Sequence, residues 1–224
     1  MGQKKKTRYH LLHRMESIVK KKFLKIAPKG VIGYHPSDLP KNRGRHPIIW
    51  SLILGLKNIG SCFFYMDSKA DSGRIISKKM IKIQKNYDSN IIYKKLIILG
   101  KKQIREIMFK IKNNKLKSFP QNNSQSNSWR KRSEIDGKID WRMSADSINN
   151  LVKALTKPYP GAYFLLKKKK ITVWKSEVIN LKTKNFEPGK ILEFKKNLII
   201  KCGNKALKLI TFHPKINLKR VKYL

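Results

Sequence analysis

The sequence predicts an α/β fold followed by a small antiparallel β module. Short apolar runs bounded by Gly, Pro and polar turns alternate with helix-period patterns as far as Leu155. A run of Gln, Asn and Ser, from Gln121 to Ser128, separates two blocks of different character. Roughly the last 60 residues hold only short apolar runs between turn signals.

Residues 1–28 are basic, with apolar positions only weakly phased, and read as a basic N-terminal segment without a strand–helix–strand pattern. Residues 29–128 form the first domain, and residues 129–224 a linker helix with the β module. Lys29-Gly30 is a turn signal, and Val31-Ile32-Gly33-Tyr34 after it reads as a buried strand. The Pro-rich stretch from Pro36 to Pro47 is too broken for helix or central strand. Pro47 suits the first turn of a helix that runs towards Leu56, and Gly55 to Gly60 ends it. Ser61 to Met66 has strand propensity, Asp67 to Gly73 is a polar loop, and Ile75-Ile76 resumes a strand.

Asp88 or Ser89 caps a long helix over 90–112, with Ile92, Leu96, Ile104, Ile107 or Met108, and Ile111 near helical spacing. Gly137 to Trp141 reads as a short strand. Ser144 is an N-cap for a helix whose Ile148, Leu151, Val152 and Leu155 lie on one face, and Pro158 and Pro160 stop it. Tyr163–Leu166, Ile171–Trp174, Ile191–Phe194 and Leu198–Lys201 are the β-like runs of the last block. Gly203-Asn204 suggests a two-residue hairpin, and the whole a small barrel.

The 224 residues give room for one large domain or two small ones. Lys+Arg number 53 against 13 Asp+Glu, a formal charge of +40. Such a field attracts phosphate polymers. Lys outnumbers Arg by about four to one, however, and phosphate recognition favours the planar Arg fork. Lys, Ile and Asn together are also what an AT-rich coding bias produces, so both readings of the charge stand. The longest uncharged apolar run, Ile48 to Leu56, is far short of the roughly 20 residues of a membrane-spanning helix. The basic N-terminus is followed by no apolar stretch of a secretory signal. Cys62 and Cys202, two and far apart, exclude a disulfide scaffold and fit a reducing compartment; the expected location is the cytoplasm. The five His residues lack ligand spacing with Cys or carboxylates, so no metal is expected, and no Walker or dinucleotide fingerprint is present.

Three stretches, in one order, carry a resemblance. The first is Val31-Ile32-Gly33-Tyr34-His35-Pro36-Ser37-Asp38-Leu39-Pro40, with Arg43-Gly44 and Pro47 to Trp50 after it. The second is Met66-Asp67-Ser68-Lys69-Ala70-Asp71-Ser72-Gly73, then Ile75. The third is Asp136-Gly137-Lys138-Ile139-Asp140-Trp141, with Lys153-Ala154 and Pro158-Tyr159-Pro160-Gly161-Ala162 beyond. Together, over about residues 28–200, they resemble the folate-dependent formyltransferases. The third stretch, with Trp129-Arg130-Lys131-Arg132 before it, is more similar to the branch that formylates amino sugars than to methionyl-tRNA formyltransferases.

The resemblance implies a formyltransferase-type Rossmann-like domain and an OB-like C-terminal module. It implies 10-formyltetrahydrofolate as formyl donor and a nucleotide-linked amino sugar or initiator tRNA as acceptor. In this chemistry an amine attacks the formyl carbon and a tetrahedral oxyanion develops, so the site needs an oxyanion donor and a proton acceptor. His35 and Asp71 match the family's catalytic His and Asp. Lys69 and Ala70 fall where the formyl donor binds, and Ser37 and Arg43 beside the acceptor, with Arg43 able to meet a phosphate. Read without the resemblance, His35 is a polar strand-end residue, Asp71 a turn former and Arg43 a solvated charge.

Two departures accompany the match. The family's Asn would fall two residues before His35, where this chain has Gly33 and no side-chain donor. A βαβ half, several strands long, would precede the His loop, yet only 34 residues stand before His35. On that expectation the domain is truncated and Val31–Tyr34 has an unpaired edge. A complementing N-terminal polypeptide, or an inactive fragment, is the corresponding alternative. A basic RNA-binding protein is the last, resting on charge alone.

Overall fold

A computed structural model describes residues 10–13, 24, 27–180, 185–194, 197–215, 218 and 221–224. The chain divides into two compact units whose segments interleave in sequence. The first comprises Met1–Ile48, Lys57–Ile83 and Tyr93–Lys131; the second comprises Ile49–Leu56, Gln84–Ile92 and Arg132–Leu224.

The first unit is built on a mixed four-stranded sheet of order β1-β2-β4-β5. Strand β1 (His10–His13) runs parallel to β2 (Val31–His35), pairing His10 with Val31 and His13 with Tyr34. Strand β4 (Asn58–Tyr65) is antiparallel to β2, and β5 (Ile75–Lys82) antiparallel to β4. A short parallel pair, β3 (Arg43–Gly44) with β6 (Ser128–Trp129), stands apart from the sheet. The expected lone edge at Val31–Tyr34 is therefore covered: β2 is bonded on both sides. His10-Leu11-Leu12-His13 escaped the sequence reading because it is four residues long and shows no alternation.

Strand β4 is buried on both faces, which is why Ser61 to Tyr65 reads as a nearly continuous apolar run. On one face Phe63 packs with Ile32, Ile76 and Ile107, the last from helix α2 (Ser89–Lys112, of which residues 93–112 belong to this unit). On the other, Cys62 and Phe64 pack with Leu39, Ile75 and Met66. Strand β5 extends well past Ile75-Ile76 because it stays paired with β4 as far as Lys82 opposite Asn58, and it is the sheet edge. Its later residues carry Lys78, Lys79 and Lys82, which protect an edge from further pairing.

A buried polar chain crosses the apolar layer. Tyr34 Oη lies 3.1 Å from Ser61 Oγ, which donates to Gln103 Oε1 at 2.6 Å. Gln103 Nε2 in turn donates to the Ser61 carbonyl at 3.0 Å and to Ser77 Oγ at 2.9 Å. With every partner present, Gln103 can sit fully buried in the helix face without an unmatched group. Burial pushes the Tyr34 phenol up to about 12.

The second unit carries a curled antiparallel sheet of order β7-β8-β11-β10-β9. Its strands are β7 (Ala162–Leu166), β8 (Lys169–Ile179), β9 (Ile191–Glu193), β10 (Leu198–Lys201) and β11 (Ala206–His213). Helix α3 (Ala145–Leu155) lies against β8, with Ile148, Leu151, Val152 and Leu155 buried as the spacing predicts. Ser144 caps it, its Oγ accepting the Ser147 N–H at 3.0 Å. Gly203-Asn204 lies in the turn between β10 and β11, closed by Cys202 N–H to the Lys205 carbonyl at 3.2 Å.

Gly137 to Trp141 departs from expectation. Glu134–Gly137 is a 3-10 turn, and only Lys138 makes a bridge, to Tyr163. The Asp136 carboxylate turns back to the Ser133 N–H at 2.7 Å, closing a capping box that holds the segment out of a ladder. A further helix, α1 (Pro47–Ile53), begins at the proline as predicted. Among the described residues no helix is long and apolar enough to cross a membrane.

Two outcomes follow from this packing. A Cβ on Gly60 would lie 2.1 Å from the Ser37 carbonyl oxygen, a backbone atom that cannot step aside. Gly60→Ala should cost about 1–3 kcal/mol by the usual scale of overpacking, measured as a lowered urea midpoint. Burial is the first cause that raises both thiols, Cys62 and Cys202, to about 12. Near about pH 8 both therefore stay protonated in the fold and should resist a disulfide-exchange reagent until the chain is unfolded. Rapid labelling of the native protein would contradict this.

Candidate functional site

The site gathers where three segments of the first unit meet. His35 is the last residue of β2, and the loop after it returns through Ser37, Asn42 and Arg43. The loop from Asp67 to Arg74 joins β4 to β5 and carries Asp71. The third segment is the Gln121–Trp129 stretch.

His35 is buried, at 6% exposure, and its orientation is set by the chain. Nε2 lies 2.9 Å from the Asn42 carbonyl oxygen, an acceptor only, so Nε2 carries the proton in this bond. Nδ1 then faces Asp71 Oδ1 at 3.7 Å, too long for a hydrogen bond but within reach of an ion pair once the ring is charged. The other oxygen of the same carboxylate, Oδ2, accepts the Gly44 N–H at 2.9 Å. Asp71 itself sits at φ 54°, a left-handed conformation that Asp adopts more readily than most residues. Gly44, at φ 95°, has no room for a side chain: a Cβ there would lie 2.4 Å from the Trp129 carbonyl oxygen.

Residues 121–128, expected as a solvated loop or linker, form together with Trp129 a strap over both loops. Arg43 N–H donates to the Asn127 carbonyl at 3.0 Å and Arg45 N–H to the Trp129 carbonyl at 2.9 Å. Asn42 N–H donates to Asn127 Oδ1 at 2.8 Å. Gln121 Nε2 donates to the carbonyls of Asp71, at 2.9 Å, and Gly73, at 2.7 Å. Gln121 Oε1 accepts from Arg43 Nη2 at 2.8 Å and from Nε at 3.3 Å. Composition hid this role, because an Asn/Gln/Ser run has no apolar periodicity whether it floats or binds.

The remaining predicted residues are distributed unevenly. Ser37 is buried, and its hydroxyl donates to the Lys41 carbonyl at 3.2 Å, bracing its own loop. Arg43 is tied to Gln121 and, at 2.8 Å, to Asn123 Oδ1. Arg43, Asp67, Ser68, Lys69, Ser72 and Asn123 line a cavity of about 490 Å³. Every one of those side chains is polar, and two cations face one carboxylate, so the cavity suits an anionic group. His35, Asp71, Ser37 and Ala70 do not line it; Ala70 is exposed in the same loop as Lys69. At Gly33 a Cβ would lie 2.9 Å from Met66 Cγ and 3.1 Å from Phe64 Cζ. The space beside the position that lacks a side-chain donor is thus filled by Phe64 of β4 and by Met66 just past its end. Among the described residues no cluster of His, Cys, Asp or Glu could hold a metal.

The formyl transferase family model matches residues 3–108, and the formyl transferase C-terminal domain model matches residues 131–219. The likeness thus starts well before residue 28, where the sequence reading began it. The bifunctional polymyxin resistance protein ArnA of Wigglesworthia glossinidia brevipalpis is 39% identical over 194 residues, covering 87% of this chain and 29% of that protein. A HypX variant from Aquifex aeolicus superposes with a TM-score of 0.71 at 15% identity, over 92% of this chain and 37% of that one. The N-formyltransferase from Helicobacter canadensis, in complex with folinic acid and dTDP-3-aminofucose, does so with a TM-score of 0.68 at 22% identity, over 87% and 70%. The two structures share the fold with this chain, which spans well under half the length of ArnA and of HypX. Two models of one family between them reach from residue 3 to residue 219, and the chain belongs to the formyltransferase family.

Proposed function

We propose that this chain transfers a formyl group from 10-formyltetrahydrofolate to the amine of a nucleotide-linked amino sugar. The observation that carries the reading is the His35–Asp71 pair held beside a cation-bearing polar cavity. The 39% identity with ArnA supports the family chemistry. The ligands of the Helicobacter canadensis protein, folinic acid and a dTDP-linked amino sugar, support the substrate classes.

The formyl donor, when bound, supplies the electrophilic carbon. The amine nitrogen forms a bond to that carbon, the donor's own C–N bond breaks, and the amine gives up a proton. In this reading His35 Nδ1 takes that proton, the Asp71 carboxylate faces the charged ring, and the ring passes the proton on to the departing nitrogen of the donor as its C–N bond breaks. Asn42 fixes the ring through Nε2, so the proton-accepting nitrogen needs no reorientation. Ser37 holds the His loop in shape. Lys69 and Arg43, with the Ser68 hydroxyl, match a carboxylate or a diphosphate, and Ala70 lies in the same donor-binding loop. The polar lining fits the charged ends of the two substrates, not a pterin ring. Transfer to initiator methionyl-tRNA is the second reading, favoured by the net charge of +40.

The test is a calorimetric titration of the chain with a stable 10-formyltetrahydrofolate analogue, then turnover with dTDP- and UDP-linked amino sugars and with initiator methionyl-tRNA. One-site binding and transfer to an amino sugar are expected. His35→Ala should lower kcat by about a hundredfold or more, the usual scale of a lost acid–base group, and Asp71→Ala by a smaller factor. Transfer to the tRNA alone establishes the second reading. No binding by a folded sample rejects both.

A further inference from the structure

We propose that Gln121 is a positioning residue that acts on His35 through Asp71. Its side-chain amide uses its whole capacity in one place. Both Nε2 protons go to carbonyls, those of Asp71 and Gly73, and Oε1 receives two N–H groups of Arg43. The reversed amide would set an oxygen against two carbonyls and an NH2 against a guanidinium, so the orientation is unambiguous.

The bond to the Asp71 carbonyl falls on the residue whose backbone is left-handed. That conformation is what lets one carboxylate meet Gly44 N–H with Oδ2 and face His35 Nδ1 with Oδ1. Glu at position 121 keeps the length and can still accept from Arg43, but it cannot donate and would oppose two carbonyl oxygens. Asn keeps the donors and loses one methylene of reach.

Gly44 N–H offers a readout free of any assay of turnover. The amides on either side of it, Arg43 and Arg45, donate to the strap backbone, whereas Gly44 N–H donates to the Asp71 carboxylate. Its hydrogen exchange therefore reports the position of that carboxylate. In Gln121→Glu the Gly44 amide should exchange about tenfold faster, approaching Asp71→Ala, while Arg43 and Arg45 change by less than about threefold. An unchanged Gly44 rate overturns the proposal. So does equal loss of protection at Arg43 and Arg45, which would mean that the strap itself has come loose.

A kinetic arm rests on the formyl-transfer reading. There Gln121→Glu should lower kcat about tenfold with little change in KM, and should add no further loss in an Asp71→Asn background. Additive losses overturn action through Asp71. If the unaltered chain transfers no formyl group, that reading fails and the exchange arm still decides the role of Gln121. Should Gln121→Glu not fold, Gln121→Asn is read in the same way.

Discussion

The strap formed by residues 121–129 is the constraint on which the site depends. The His35 loop and the Asp71 loop leave different strands, and both contain left-handed backbone. Asn42, Gly44, His46 and Asp71 all have positive φ, between 54° and 95°. Asn, Asp and His bear a left-handed backbone better than most residues and Gly bears it freely, and so close a cluster is steadied further by an external template. The strap supplies it from both ends. Its approach is pinned where Ile75 and Phe119 exchange backbone hydrogen bonds at 2.8 and 2.9 Å, and where Arg74 holds Ser118. Its far end pairs Ser128 and Trp129 with Arg43 and Gly44. Between them, the Gln121 amide joins Arg43 to the Asp71 turn.

Beneath the strap, β4 is the rigid floor. Its burial on both faces fixes the register, because a one-residue slip would exchange Phe63 with Cys62 and Phe64. Gly60 then lets the Ser37 backbone lie directly on the strand, and the Cys62 thiol donates to the Ser37 carbonyl at 3.1 Å. Leu39 is buried against the same face, and Lys78 of β5 reaches its carbonyl at 2.8 Å and pairs with Asp38. The histidine loop is thus held from below by β4 and β5 and from the side by the strap. His35 is oriented by its bond to the Asn42 carbonyl within that supported loop.

Much of this was legible in the sequence where a residue type has one common use. Pro47 starts a helix, Ser144 caps one, and Asp88 caps α2 by accepting the Ile91 N–H at 2.8 Å. His35 and Asp71 stood out through motif order, which carries no distance, and the fold brings them to 3.7 Å. What escaped notice has a common physical cause: the partner, not the residue, sets the structure. Strand β1 exists because β2 offers it an edge. Gln103 is an ordinary polar helix residue until Ser61 and Ser77 meet it. Lys167 and Lys168 make a two-residue hairpin turn at φ 46° and 66°, between Leu166 and Lys169, with no Asn or Gly to mark it. Gln121 belongs with these, since nothing in a run of Gln, Asn and Ser tells a bound amide from a hydrated one.

The two basic residue types are used differently, and this bears on the charge. Three arginines are committed to directional, multiple hydrogen bonds: Arg43 to Gln121 and Asn123, Arg74 to Ser118, and Arg142 to the Asp140 carboxylate. Apart from Lys78, the lysines of the β5 edge and of the β7–β8 turn place a point charge on a flexible stem at the surface as solvent cover. At Arg74 and Arg142 the guanidinium fork that nucleic-acid recognition would use is spent on internal geometry. A diffuse lysine field draws any polyanion and selects none, and it weakens as salt shortens the Debye length. The cavity formed by Arg43, Lys69 and Asp67 is a different matter, because its cations are few and one of them is held in place by two side chains. Selectivity for a particular anion can arise there, from geometry, and not from the net charge of +40.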